Sequence, residues 1–112
     1  MIEKLTALQG DLASNIRTLL DAYDRCTDPA LRTQLISQTQ SLSTQMSRIE
    51  TALFHQQTVD ADDTLEAAFN SARGFTSQID ALNDQLERVS ELVSVAAKVV
   101  QTVTVIVGYL PA

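Results

Sequence analysis

Residues 65–110 read LEAAFNSARGFTSQIDALNDQLERVSELVSVAAKVVQTVTVIVGYL, and the way this stretch divides decides the fold. One set of heptad positions holds Leu65, Ala72, Ile79, Leu86, Val93, Val100 and Val107. The other holds Ala68, Phe75, Leu82, Val89, Ala96, Val103 and Leu110. All fourteen are apolar over seven heptads, the mark of a helix with one buried seam. No proline interrupts before Pro111, and Gly74 is the one glycine ahead of Gly108. Gly74 costs about 1 kcal/mol relative to alanine and offers a place to kink. The β-branched run from Val99 to Val107 suits a strand as well, but the sustained heptad decides for helix. The spacing predicts one helix from about residue 61 to 107, stopped by Gly108 and Pro111 and roughly 70 Å long.

Upstream, Leu5, Leu8, Leu12, Ile16, Leu19, Tyr23 and Cys26 recur at steps of three and four, the apolar stripe of a first helix. Thr27-Asp28-Pro29 ends it. Asp28 is a good N-cap and Pro29 fits the first helical position, where no amide donor is needed. A second helix follows to about His55, with Leu35, Thr39, Leu42, Met46, Ile49 and Leu53 on its stripe and Gln, Ser and Thr on its outer faces. Each of these helices is about 40 Å long. Gln56 to Val59 form a short connection, so successive helices run antiparallel. Asp60 then serves as the next N-cap, with Asp62, Asp63 and Glu66 at the positive end of the helix dipole.

The expected architecture is therefore all-α: one domain over residues 1–112, an antiparallel bundle of three helices with the third about twice as long as the others. Residues 65 to 86 match the first two helices and complete the bundle. The remainder has no partner within the chain, yet it is the more apolar half. Its flank turns to Leu92, Val99 and Ile106, with Val95, Val105 and Tyr109 on formerly exposed positions. A helix apolar nearly all round must be buried in something. Three schemes compete. Preferred is an intermolecular core built from segment 92–112, with Val89, Val93, Ala96, Val100, Val103, Ile106, Val107 and Leu110 as contact residues. Next comes docking into another protein or a membrane. Last is a break near residues 83–90 and a fold-back into four helices, for which no Gly or Pro gives a signal.

Composition narrows the function. The chain has 112 residues, 45% of them apolar, which excludes wholesale disorder. A net charge of -6 with scattered Lys and Arg argues against nucleic acid. After Glu91 the only charged residue is Lys98. A membrane-spanning role for residues 92–110 would bury Lys98 at a cost of roughly 2.5 to 3.5 kcal/mol, and neighbouring acids would be repelled by anionic lipid. Charged residues at Glu3, Lys4, Asp11 and Arg17 leave no secretory signal in the first twenty residues. The expected location is cytoplasmic, with signal-independent secretion or membrane association left open.

The sequence nominates no chemistry. Asp60, Asp62 and Thr64 start like a calcium loop, but the sixth and twelfth positions are Leu65 and Ser71 rather than Gly and Glu. Asp80, Asp84, Glu87 and Glu91 would share one face of a continuous helix, a solvated surface or a docking face for a basic partner. His55 is the only histidine and Cys26 the only cysteine, so neither has a partner of its own kind for a metal or a disulfide. No cofactor is expected, and no enzyme. The expected function is non-enzymatic assembly: self-association, or docking of a protein partner, through the apolar C-terminal helix. The alternatives are a membrane-active helical protein and a secretion-type chaperone or adaptor.

Overall fold

The computed structural model describes residues 2–56, 62–82, 85 and 88–110. Among them are four helices: α1 (Ile2–Arg25), α2 (Pro29–Phe54), α3 (Asp63–Ala81) and α4 (Val89–Gly108). The all-α expectation stands. The long third helix does not, because the chain leaves it after Ala81 and folds back.

The break is made by the backbone. Leu82 caps α3 in a near-helical conformation, its N–H donating to the carbonyls of Gln78 (3.2 Å) and Ile79 (3.0 Å). The Gln85 N–H then donates to the Leu82 carbonyl and the Arg88 N–H to the Gln85 carbonyl, both at 2.9 Å. Arg88, with ψ of 52°, leaves the helical region, and its carbonyl accepts from Leu92 at 3.1 Å as α4 begins. Interrupting a helix forfeits a handful of hydrogen bonds, each worth about 1 kcal/mol net. The fold-back buries Leu92, Val99, Val103 and Ile106, none more than 1% exposed. At about 1.5 to 3 kcal/mol for each such side chain, burial wins.

The burial pattern also shifts in phase. The core line of α3 runs through Leu65, Ala68, Phe69, Ala72, Thr76 and Ile79. In α4 it runs through Val89, Leu92, Ala96, Val99, Val103 and Ile106, while Val100 and Val107 are only half-buried. The seam has moved by one heptad position, so the expected row Val93, Val100, Val107 is the edge of the buried stripe and the flank Leu92, Val99, Ile106 is its centre. Gly74 lies within an uninterrupted α3 and hosts no break.

The other boundaries follow local chemistry. The Asp28 carboxylate accepts from the backbone N–H groups of Ala30 (2.9 Å) and Leu31 (3.4 Å), with Pro29 opening α2. Asp62 caps α3, accepting from Leu65 at 2.8 Å, in place of the expected Asp60, which lies outside the described residues. The helices form a four-cornered ring in which α1 touches α2 and α3, and α4 touches α3 and α2. Lys4 meets Glu66 and Asn15 meets Thr76 and Asp80, so α1 and α3 run parallel. The molecule is thus two antiparallel hairpins, α1–α2 and α3–α4, laid side by side within 44 × 22 × 18 Å.

Candidate interaction surface

The residues expected to form an intermolecular contact lie mostly in the chain's own core. Val89, Ala96, Val103, Ile106 and Leu110 are buried against the other helices, Val93 is at the edge of the core, and Val100 and Val107 are half-buried beside it. Their assignment assumed that the C-terminal half had no partner within the chain, and the fold-back removes that assumption. The acidic face is also divided. Asp80 is on α3 and Glu91 on α4, where it pairs with Arg88, while Asp84 and Glu87 lie outside the described residues. Asp80 and Glu91 thus lie on separate helices rather than on one helix face.

The remaining chemistry-bearing side chains have structural partners. The Cys26 Sγ is buried and donates to the Asp28 carbonyl at 3.7 Å. His55 sits at the C-cap of α2, edge-on to Phe54 with ring centroids 5.2 Å apart. The Arg32 guanidinium lies over the Tyr23 ring at 4.1 Å, and hydrogen bonding to the Tyr23 side chain raises its pKa. Asp62 accepts from the Leu65 amide and from the Tyr109 hydroxyl, tying the start of α3 to the end of α4. These two bonds, the amide first, hold the Asp62 carboxyl below the usual carboxylate value, and the same contact pushes the Tyr109 phenol up. Among the described residues, no three His, Cys, Asp or Glu side chains converge on a metal-sized point.

Charge is segregated between the two long sides of the molecule. α1 carries seven charged side chains and α3 four, against three on α2 and two on α4. Those of α2 are confined to Arg32 near its start and Arg48 and Glu50 near its end, leaving residues 33–47 uncharged. Those of α4 are Glu91 in its first turn and Lys98. The side on which α2 and α4 meet is therefore built from hydroxyl and amide groups with little charge.

A groove of about 430 Å³ runs along this side, lined by Ser37, Gln40, Ser41, Thr44, Gln45, Val100 and Thr104. Gln45 bridges its walls, its Nε2 donating to the Val100 carbonyl (3.0 Å) and the Thr104 hydroxyl (2.9 Å). The hydroxyls of Thr44 and Thr104 donate to their own helices, at the carbonyls of Gln40 and Val100, leaving lone pairs free to accept. On the outer side of α4, away from the core, Val105 is 42% exposed and Ala97 partly so. The two halves of this surface are separated by about 55 residues in sequence, and each looks like an ordinary solvated helix face. Only the fold-back brings them together.

Comparison of the chain with protein-family models, curated proteins and solved structures finds no match to any of them.

Proposed function

We propose that this chain is a non-enzymatic helical interaction module whose working surface is the side shared by α2 and α4. The observation that carries this reading is the charge segregation just described. An ordinary solvated helix face is rich in charge, whereas the buried centre of a protein interface is depleted of it. Here α1 and α3 are of the first kind, and α2 and α4 supply the second. Parallel neighbouring helices with a groove between them also suit the docking of a further helix.

A lipid-active reading draws on one observation: α4 is long and apolar enough, by length and composition, to cross a membrane. Its apolar stripe is occupied within the bundle, and Lys98, Gln101, Thr102 and Thr104 interrupt the rest. The protein-docking reading therefore has the better support.

Site-specific photo-crosslinking in cells that make the protein tests it. A photoreactive residue at Ser37, Gln40 or Gln101 is expected to give protein adducts, and one at Arg17, Arg25 or Glu66 to give none. Adducts from the α1–α3 positions alone, or from both sides alike, contradict the proposal.

A further inference from the structure

We infer that the occupant of the α2–α4 side is a second copy of this chain, the two meeting across a twofold axis with α4 against α4. The inference rests on the reading of that side as the working surface and adds the identity of the partner. Each copy carries a net charge of -6, so two copies repel unless they meet where charge is sparse. The α2–α4 side is that place. Its acids, Glu50 and Glu91, lie towards opposite ends of the face.

The surface is also complementary to itself. A twofold contact places each group against an identical patch, which suits groups that both donate and accept. Ser37, Gln40, Ser41, Thr44 and Gln101 are all of this kind. A face dominated by one sign of charge would oppose itself.

α4 carries more apolar surface than its own bundle covers. Ala97, Val100 and Val107 are partly exposed and Val105 more so, with Gly108 open beside them. Ala97, Gln101, Val105 and Gly108 follow one another at steps of four, four and three along the outer line of the helix, with Ala97 and Gly108 the small residues among them. The area suffices. A side of the bundle 44 Å long and 18 to 22 Å wide offers about 790 to 970 Å² in projection, against about 800 Å² per partner in a standard stable interface.

The test is the solution mass of the full chain by sedimentation, across a wide concentration range, with three variants. The expected species has twice the 12.2 kDa mass of one chain. Gln101→Glu and Val105→Glu place a charge at solvent-exposed positions that the fold does not need. Each is expected to raise the dimer dissociation constant by about tenfold or more while helical content is unchanged. Arg17→Glu, on the opposite side, is expected to leave it unchanged. Gln101→Cys should form a disulfide with its copy under mild oxidation, and Arg17→Cys should not. A monomer at every concentration overturns the inference, as does a dimer indifferent to both α4 substitutions. So does a monomer that instead co-sediments with phosphatidylcholine–phosphatidylglycerol vesicles. None of these results touches the α2–α4 reading itself if photo-adducts with other proteins still arise only from that side.

Discussion

Asn15 is wholly buried at the junction of the two hairpins. Its Nδ2 donates to the Thr76 carbonyl (3.3 Å) and the Asp80 carboxylate (3.4 Å), while its Oδ1 has no partner among the described residues. An unpaired buried oxygen costs about 1 to 3 kcal/mol, more than two long hydrogen bonds return. Asn15→Leu is therefore expected to raise stability by about 1 kcal/mol, read as a higher midpoint in denaturant at unchanged slope. A lower midpoint would mean that the amide is satisfied and holds α1 to α3. At the other end of the molecule, the Asp62–Tyr109 contact links stability to pH. The folded state favours the Asp62 carboxylate, so its contribution is present above the ordinary value of 3.8 and is lost as pH falls through the lower folded value. The Tyr109 phenol is favoured neutral, so its contribution is present below 10.0 and is lost as pH rises through the higher folded value. Tyr109→Phe should abolish the alkaline loss and shrink the acid one. Melting curves across the pH range that show both limbs unchanged would rule the contact out.

Helix α4 is where the reading of the sequence and the fold part company. The caps at Asp28 and Pro29, and the stripes of α1 and α2, follow from side-chain chemistry that a local pattern displays. The turn at Leu82 to Arg88 does not, because no glycine or proline marks it. Its signal was the appearance of a second apolar row, Leu92, Val99 and Ile106, beside the seam of Val93, Val100 and Val107. The residue types at 83 and 84, Asn and Asp, add to it, because both have low intrinsic helix propensity. Read as widening, the change implied a second molecule; read as rotation, it implies a hairpin. The two readings separate on adjacent residues. Val99→Ala should cost about 2 kcal/mol and Val100→Ala less than half of that, whereas a single seven-heptad seam reverses the order. Gly74, inside α3 with open space where a Cβ would stand, should accept alanine and gain about 0.5 to 1 kcal/mol. Loss of stability there would show that α3 needs the glycine to bend.

At the scale of the whole molecule, the sequence displays the near-absence of charge after Glu91 and across residues 33–47, but not that these two stretches share a side. Helix pairing through the diagonal order of the ring decides that, and no periodicity encodes it. A surface so poor in charge associates without ionic help, so the mass of the assembly should hold or rise between about 50 and 500 mM salt, as repulsion between acidic chains is screened. Dissociation on adding salt would point to ion pairs at the interface. Everything at this scale depends on the fold-back, which turns the apolar stripe of α4 into core and leaves its outer line free. The most direct measurement is the distance between spin labels at Thr64 and Gly108 within one chain, in a Cys26→Ala background diluted with unlabelled protein. With the start of α3 held to the end of α4 by the Asp62–Tyr109 contact, the hairpin predicts a separation within about 20 Å. A separation of roughly 65 Å, the length of an unbroken helix between those residues, would contradict it.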